Sequence, residues 1–353
     1  MKSHIKIEIP YIIRAFHTNT MKRLSIILIS TLLVASIKAE NLNFLFRMYQ
    51  TDTNIADAFQ ADLISGGDDA MQAFATMPEL VTKGRAKLEF ELKKQTLDKQ
   101  KSNVSSGDKQ RKNPDGSLRN MGLNIEFQAT LAPGRIDCFL SSDCVLEEKD
   151  GLTSPNVNTA FVAKSGIPVL LGRWQEGDIS RLLVVVIESE KPTEPLSPPG
   201  RMIYVDTSVY QTEADAKASR NPVSRTVFPT KSGLSSASGV SYSLFVKFEE
   251  EEKKERNWSE QSYSDPSIEV ETLLADDASS VFLRYHCNNT KVTGGKRKGL
   301  GIPELTYRNA DLSAKFAIGV PHTFELLVDK KTNPDAKEQD WKFTINCLLY
   351  EVK

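Results

Sequence analysis

Apolar and polar residues alternate over many short stretches of this chain, which is the pattern of half-buried β-strands. The segment 125–132, Ile-Glu-Phe-Gln-Ala-Thr-Leu-Ala, is one example. The run Leu182–Ile187 is apolar at every position and lies between Arg181 and Glu188. A short apolar run with charged ends predicts a buried strand, because it is too short to cross a membrane.

Helical spacing occurs near the start of the pattern. The first predicted helix, Asn54–Ile64, has an apolar residue at every fourth position: Ile55, Phe59 and Leu63. Gly66 and its neighbours end this helix, and Asp68 is placed to cap a second one. The apolar residues of that second helix are Met71, Phe74 and Met77. A shorter and more polar helix is predicted over Thr212–Arg220.

Part of the strand pattern occurs twice. The segment Ile125–Cys144 aligns without a gap to Ile268–Cys287, with seven identical residues out of 20. Both copies predict strand, turn and strand, with Pro133-Gly134 in the first turn and Asp276-Asp277 in the second. This similarity predicts an internal duplication.

Weaker matches flank that segment in the same order. Tyr49-Gln50-Thr51-Asp52 corresponds to Tyr210-Gln211-Thr212-Glu213, and Gly166-Ile167-Pro168 corresponds to Gly319-Val320-Pro321. Segment 191–200 has four prolines in ten residues and predicts a stiff linker between the copies. We therefore expect repeat 1 over 40–190 and repeat 2 over 201–353. The predicted fold is α+β: two tandem β-rich repeats, each a mainly antiparallel sheet with one or two short helices near its N-terminal end.

Each repeat also contains a charged stretch of low hydrophobicity. These stretches are Asp98–Asn120 in the first and Glu249–Ser264 in the second. Such a composition favours a solvated hairpin loop or a mobile tip.

The first 39 residues have the layout of an export signal. Met21 is followed by Lys22 and Arg23, by the apolar run Leu24–Ala35, and by small residues before Glu40. We expect cleavage after residue 39 and a translation start at Met21, so the protein is predicted to reach the periplasm or the cell surface.

The whole chain has 353 residues, with 45 Lys and Arg against 46 Asp and Glu. Residues 1–39 include six of the basic and one of the acidic residues, which leaves the remainder with a net charge of −6. Balanced to acidic charge argues against a nucleic-acid binder that works through a basic face. No transmembrane helix is expected in the mature chain.

The first repeat resembles the C-terminal domain of bacterial secretins, the outer-membrane channel proteins of type II and type III secretion. The resemblance is carried by three segments, which have the order of the family's strand and turn motifs: Gly122–Leu140, Asn158–Trp174 and Leu182–Glu188. It implies a secretin-like β fold in the cell envelope. Only residues 175–181 stand where the channel proteins have a long gate region, so the resemblance implies this fold without the pore.

One loop has the composition of an anion-binding site. Closely spaced glycines let backbone N–H groups converge on an oxyanion, and adjacent cations add attraction. The residues are Gly294, Gly295, Lys296, Arg297 and Lys298. We favour a flexible basic hairpin tip as the interpretation of this loop. The functional alternative is an anion-binding loop that contacts an anionic envelope component, such as phosphate-bearing lipid or an acidic glycan.

The chain has four cysteines, and export permits them to form disulfides. Pairing Cys287 with Cys347 would join strands of the second repeat, and pairing Cys144 with Cys287 would join the two repeats. We favour the pair Cys287–Cys347.

No motif of a catalytic site is present. Ser235 lies in a Gly/Ser-rich segment without a nucleophile elbow, and His286 and His322 match no catalytic or metal-binding pattern. No cofactor is expected. The sequence favours a non-enzymatic envelope protein that acts as an assembly or binding module. We expect it to bind protein partners, or to associate with itself, through the edges of its sheets. We also expect a link to secretion or pilus machinery. The alternative is a secreted hydrolase or glycan-acting enzyme that uses carboxylates, for which Asp137, Asp143 and Glu188 are the candidates.

Overall fold

The structure is a computed structural model of the chain. It describes the following residues: 40–107, 109–113, 116, 118–148, 151–190, 202–210, 212–220, 222–250, 255–264, 267–274, 279–296, 303–327 and 342–351. The export signal, the proline-rich segment 191–200 and the turn at Asp276-Asp277 lie outside the described residues. The described residues from Asn41 onwards belong to one compact unit.

Strands dominate this unit, and the described residues include three helices. The helices are α1 Thr53–Ser65, α2 Gly67–Thr82 and α3 Glu213–Ala218. The strands of the first half, which we define as residues 40–190, are β1 Asn41–Asp52, β2 Ala86–Leu97, β3 Lys101–Ser105, β4 Gln110–Lys112, β5 Leu118–Asn120, β6 Gly122–Ala132, β7 Arg135–Glu148, β8 Gly151–Ala163, β9 Val169–Glu176 and β10 Ile179–Ser189. Those of the second half, residues 201–353, are β11 Met202–Tyr210, β12 Ser224–Lys231, β13 Ser235–Glu250, β14 Glu255–Ser264, β15 Ser267–Leu274, β16 Ser280–Lys296, β17 Pro303–Ala317, β18 His322–Leu327 and β19 Lys342–Glu351.

These strands form two large antiparallel sheets. Sheet A has the order β18-β19-β11-β12-β9-β10-β1-β2, and sheet B has the order β17-β16-β15-β13-β8-β7-β6-β3, with β14 paired to β13. Strands β4 and β5 form a separate hairpin. The predicted β-rich α+β fold class is confirmed.

Both halves contribute four strands to each sheet, in the same order. In sheet A the first half supplies β9-β10-β1-β2 and the second supplies β18-β19-β11-β12. In sheet B the corresponding runs are β8-β7-β6-β3 and β17-β16-β15-β13. Each half is therefore a small sandwich, and the two sandwiches share continuous sheets.

Aromatic side chains between the sheets hold each sandwich together. In the first half, the ring centroid of Phe127 on β6 is 4.4 Å from that of Phe44 and 5.3 Å from that of Phe46, both on β1. In the second half, Tyr285 on β16 contacts Phe324 on β18, with centroids 5.5 Å apart. Tilted ring contacts of this kind add to the energy gained by burial.

Helices α1 and α2 pack on the face of sheet A that points away from sheet B. Asp52 caps α1 by accepting a hydrogen bond from the backbone N–H of Ile55 at 2.9 Å. Gly66, rather than Asp68, precedes the first residue of α2, and Asp68 lies in its first turn. Met71 is 42% exposed, because the buried face of α2 is formed by Ala70, Ala73 and Met77. The prediction that Met71 lies on the apolar face of this helix was therefore wrong, because its neighbour Ala70 occupies that face.

Both charged stretches contain strands instead of the predicted loops or tips. The first contains β3, β4 and β5, and β3 pairs with β6. The second lies in a long hairpin in which β13 pairs with β14 from Ser241–Ser264 to Glu250–Glu255. An antiparallel hairpin satisfies backbone hydrogen-bonding groups whatever the side chains are, so low hydrophobicity does not prevent it.

Candidate functional site

The two halves meet along one pair of strands in each sheet, and we call this region the junction. In sheet A, β12 pairs with β9, and Val227 lies opposite Arg173. In sheet B, β13 pairs with β8 from Ala237–Asn158 to Ser243–Leu152. The junction is thus built by edge-to-edge strand pairing, the same interaction that joins strands within each half.

A partly buried polar cluster crosses the junction beneath α1. Arg173 is fully buried, and its Nη1 is 2.6 Å from Asp57 Oδ1 and donates to Gln60 Oε1 at 2.7 Å. From the second half, Arg225 Nη1 is 2.7 Å from the same Asp57 oxygen, and its Nη2 is 2.7 Å from Asp206 Oδ2. Gln60 Nε2 donates to Asp206 Oδ2 at 3.1 Å and completes the cluster.

The charges of this cluster compensate one another. Burial alone would raise the pKa of Asp57, but the hydrogen bond from Arg173 and the charges of Arg173 and Arg225 outweigh burial and hold that pKa below its ordinary value. Burial acts against the charge of Arg225, yet hydrogen bonds and attraction from Asp206 and Asp57 raise its pKa. Asp57 therefore lacks the raised pKa of a general acid, and the cluster acts as a clamp between the halves.

A cleft of about 310 Å³ opens beside the cluster. Its lining includes Asp57, Asp206 and Arg225 of the cluster, together with Asn346 and Tyr350 of β19. Burial, followed by the nearby charge of Asp206, raises the pKa of Tyr350 to about 12, so its hydroxyl stays protonated at neutral pH. The two carboxylates both line this cleft, but each is already paired with Arg225.

Further contacts close the junction on both sheets. Trp174 Nε1 donates to Ser238 Oγ at 3.0 Å and to the Asn156 carbonyl at 3.2 Å. Lys231 Nζ is 2.9 Å from Asp137 Oδ1. Asp137, one of the carboxylates considered for catalysis, thus forms an ion pair across the halves.

The other two candidate carboxylates lie apart from this cluster. Glu188 is exposed on β10, where it lies opposite Asn43. Asp143 is on β7, and burial raises its pKa against the opposing charge of Arg119. Asp137 and Asp143 are both on β7 and Glu188 is on β10, and none of the three lines the cleft.

A groove of about 670 Å³ lies on sheet B of the second half. Its lining includes Leu273 and Phe282, which are 57% and 50% exposed. Lys315 Nζ lies 5.7 Å from the centroid of the Phe282 ring. Phe139, which aligns with Phe282 in the sequence repeat, is also 50% exposed.

The residues of the predicted anion-binding loop are only partly covered. Gly294, Gly295 and Lys296 form the end of β16, while Arg297 and Lys298 lie outside the described residues. The site itself stays a prediction. In the part of the chain that the structure describes, no group of three or more His, Cys, Asp or Glu is placed to hold a metal ion.

Cys287 and Cys347 lie on different sheets, in β16 and β19, and both are buried free thiols in the structure. Burial raises the pKa of each thiol to about 12, which makes the thiolate rare at neutral pH. The disulfide between them stays a prediction. His322 begins β18, and its Nε2 accepts a hydrogen bond from the Ala317 N–H at 3.0 Å.

Sequence reasoning did not find the cluster at the junction. The sequence does contain one signal for Arg173. It follows three apolar residues and Gly172 in β9, and a charged residue that interrupts an apolar strand indicates a buried cation. Its partners Asp57 and Gln60 lie on the polar side of the predicted helical stripe. No sequence spacing indicated that the second half would supply Asp206 and Arg225.

Two equivalent corners connect the sheets, and each has the same backbone hydrogen bonds. In the first corner, Leu97–Gln100, the N–H of Lys99 donates to Ala129 at 2.8 Å. In the second corner, Lys231–Leu234, the N–H of Gly233 donates to Thr272 at 2.7 Å. The second corner leads into the junction, whereas the first leads to the edge strands β2 and β3.

Each sheet has two open edges among the described residues. No described strand pairs with the outer side of β2 or β18 in sheet A, or of β3 or β17 in sheet B. Lys93 on β2 and Glu325 on β18 are both exposed at these edges. Open edges present unpaired backbone donors and acceptors to another chain.

Comparison with known proteins gives little more. No protein-family model and no curated protein matches the sequence. Among solved structures, the cryo-EM structure of the ETEC pilotin–secretin AspS–GspD complex matches with a TM-score of 0.21 and 9% sequence identity, over 94% of this chain and 53% of that chain. The chain thus spans about half the length of this neighbour. No described helix has the length and apolar content that crossing a membrane requires.

Proposed function

We propose that this protein is an exported, non-enzymatic module of the cell envelope that binds protein partners through the open edges of its sheets. We also propose that its two halves arose by duplication, which is supported by their identical strand orders. A link to secretion or pilus machinery rests on the sequence resemblance to secretins.

The observation that carries this proposal is the junction. There the protein already uses edge-to-edge pairing, in both sheets at once, to join two sandwiches. Among the described strands, the same two sheets end in open edges on either side. An extended segment can add to such an edge through main-chain hydrogen bonds, with side chains providing selectivity.

The competing role as a hydrolase receives less support from the site. Asp57 and Asp206 line the cleft but are neutralised by Arg225, and the pKa of Asp57 is lowered. A general acid at neutral pH needs the opposite shift.

Export can be tested by fractionating cells that express the full chain. We expect the processed protein in the envelope fractions with Glu40 at its N-terminus, as determined by N-terminal sequencing. The variant Ile29→Arg breaks the apolar run and should retain the uncleaved chain in the cytoplasm. Export of this variant at the level of the wild type would contradict the assignment of the signal.

Edge binding can be tested by photo-crosslinking in cells. A benzophenone amino acid is placed at Gln95 on β2 or Thr323 on β18, both exposed at open edges, and at exposed Glu79 on α2 as the matched control. We expect discrete adducts from the edge positions and none from the control. Absence of adducts at both edges, or equal adducts at the control, would overturn the proposed function.

A further inference from the structure

The open edges of the protein are the counterparts of the edges that meet in the junction. Strands β2 and β3 hold the places in the first half that β12 and β13 hold in the second. Strands β18 and β17 hold the places in the second half that β9 and β8 hold in the first. One joined pair of edges therefore lies inside the chain, and one equivalent pair is left open at its two ends.

The equivalence on β2 can be followed residue by residue from the corners. Each corner begins with an equivalent hydrogen bond of 3.1 Å. The carbonyl of Leu97 accepts it in the first corner and that of Lys231 in the second, in both cases from the N–H of the third residue that follows. Counting back four residues from each makes Lys93 the equivalent of Val227. The strand pairing agrees with this count, since Lys93 lies opposite Leu45 of β1 and Val227 lies opposite Asp206 of β11. Leu45 and Asp206 are equivalent because each lies four residues before the tyrosine of the matching motifs.

The equivalence on β18 follows from the turn before it. Gly166 and Gly319 both have positive φ, of 78° and 77°. Their N–H groups donate at 2.8 Å to Ile187 and Leu349, in the closing strands β10 and β19.

Equivalent positions can then be counted along those closing strands. Leu182 lies five residues before Ile187, and Thr344 lies five residues before Leu349. Arg173 lies opposite Leu182, and Glu325 lies opposite Thr344. Glu325 is thus the equivalent of Arg173. Strand β9 has a bulge before Arg173 that β18 lacks, so the two positions are matched through the closing strands and not by counting along β9 and β18.

Sheet B gives a register that is consistent with this one. Ser235 lies opposite Glu271 and Lys101 lies opposite Gln128, at matching positions of the repeat. Because Ser238 faces Val157 in the junction, its equivalent Val104 on β3 would face the equivalent of Val157 on β17. That residue is Ala310, which lies opposite Cys287 as Val157 lies opposite Ser142.

We propose that a second copy of this chain pairs head to tail with the first, by placing its β18 and β17 edges on the open β2 and β3 edges in the register of the junction. This inference rests on the proposed function and names the partner. The register brings Lys93 of one copy directly opposite Glu325 of the other, on the same face of sheet A. Opposite charges at directly facing positions of an antiparallel pair stabilise it.

Such an interface uses different surfaces on the two copies, so it does not stop at a dimer. Repetition gives a closed ring if the rotation between copies closes, and an open filament otherwise. Both outcomes extend the two sheets from one copy into the next. The charges also make the pairing selective, since a partner edge with a lysine opposite Lys93 is repelled.

The first experiment measures self-association of the processed protein by sedimentation velocity over a range of concentrations. We expect species at successive multiples of the monomer mass, or one closed assembly. Lys93→Glu or Glu325→Lys alone should weaken association by about tenfold or more. The double variant Lys93→Glu/Glu325→Lys restores the opposite charges and should restore association. Both residues are exposed, and circular dichroism checks that each variant is folded.

The second experiment tests the register with engineered cysteines. A chain with Lys93→Cys is mixed with a chain with Glu325→Cys under mild oxidation, and we expect a covalent heterodimer because facing Cβ atoms lie about 4.5–5.5 Å apart. Lys94→Cys is the control, since neighbouring residues of a strand point to opposite faces. The four native cysteines are buried and contribute little background.

The outcomes separate this inference from the proposed function. A protein that stays monomeric at all concentrations and forms no crosslink overturns the inference. So does a crosslink of Lys93→Cys with itself, because it indicates a symmetric dimer. If the cellular photo-adducts at Gln95 and Thr323 then contain a different protein, edge binding stands and only the identity of the partner is wrong.

Discussion

The two corners of the molecule have the same backbone and opposite surroundings. Lys231–Leu234 leads from β12 to β13, and both strands are covered by the first half in the junction. Leu97–Gln100 leads from β2 to β3, which no described strand covers on the outer side. Val227 and Phe228 of β12 are fully buried, whereas their equivalents Lys93 and Lys94 are exposed. The backbone thus specifies the corner, and the side chains specify whether its edge is joined or open.

This difference shows how one strand arrangement serves two purposes. Apolar residues at the covered edge gain the energy of burial when the halves join. Lysines at the open edge favour its exposure to water and disfavour pairing with unrelated strands. Four predictions test this comparison, and we give them from the largest expected effect to the smallest.

Removal of the buried cation at the junction should have the largest effect. Arg173→Ala leaves the buried Gln60 without its cationic partner and opens a cavity where the fully buried side chain was, and we expect a loss of about 3–5 kcal/mol in the free energy of unfolding. Urea denaturation followed by tryptophan fluorescence measures it. The matched control is Arg284→Ala at an exposed ion pair, where the loss should stay below about 1 kcal/mol. Equal effects of the two substitutions would mean that the cluster does not clamp the halves.

Gly172 makes room for the indole ring of Trp174 in the junction. A Cβ atom added at Gly172 would lie 2.5 Å from the ring, which is too close for any real contact. We expect Gly172→Ala to displace Trp174 and to cost about 1–3 kcal/mol. The same denaturation measures the cost, and a shifted emission maximum reports the displaced ring. Gly177→Ala is unsuitable as a control because Gly177 has a positive φ of 57°. Ala314→Gly, at an exposed position of β17, serves instead.

The corners should respond in opposite directions to exchange of one residue. Lys99 has a left-handed φ of 64°, and Gly233 has a φ of 82° at the equivalent position. The left-handed conformation costs a residue with a side chain about 1–2 kcal/mol, and glycine avoids this cost. Gly233→Ala should therefore destabilise the protein, while Lys99→Gly should leave it unchanged or slightly more stable. Thermal unfolding of the pair measures both, and destabilisation by Lys99→Gly would contradict the equivalence of the corners.

The smallest effect concerns pH. The pKa of Asp57 is lower in the folded protein than its ordinary value, so its contribution to stability is complete above that ordinary value, near pH 4, and is lost as the pH falls further. Its carboxylate is 45% exposed, so we expect less than about 1 kcal/mol from it. Asp57→Asn should therefore show a shallower loss of stability between pH 5 and pH 2 than the wild type. A parallel loss in both proteins would assign the acid sensitivity to other carboxylates.

Local features of the fold were predictable from the sequence because local chemistry determines them. The alternating segment 125–132 forms β6, and the apolar run Leu182–Ile187 lies within β10. Gly166 and Gly319, at the position where the two motifs match, have nearly equal positive φ values. The gap-free alignment, however, placed the second strand of the second hairpin two residues too early. Leu131 faces Ile136, five residues later, whereas the aligned Leu274 faces Val281, seven residues later.

The joining of the halves was not predictable in this way. We expected one sheet in each repeat, but whether two edges meet depends on residues that are far apart in the chain, such as Val227 and Arg173. The polar cluster has the same origin, since Asp57 and Arg225 become neighbours only after the sheets have joined. Amphipathic patterns indicate which face of a strand is buried, and they carry no information about the neighbour at its edge.

The position of β1 has a consequence for the order of events during synthesis. β1 lies between β2 and β10 in sheet A, with Leu42 opposite Ser189. The part of this sheet that the first half supplies is therefore incomplete until β10, the last strand of that half, has been made. Pairing between strands so distant in sequence slows folding. A nascent chain of this design cannot complete its first sandwich until Ser189, about halfway along the chain, has been made. Until then it is incompletely folded, which is the condition in which a polypeptide can still be threaded through a membrane.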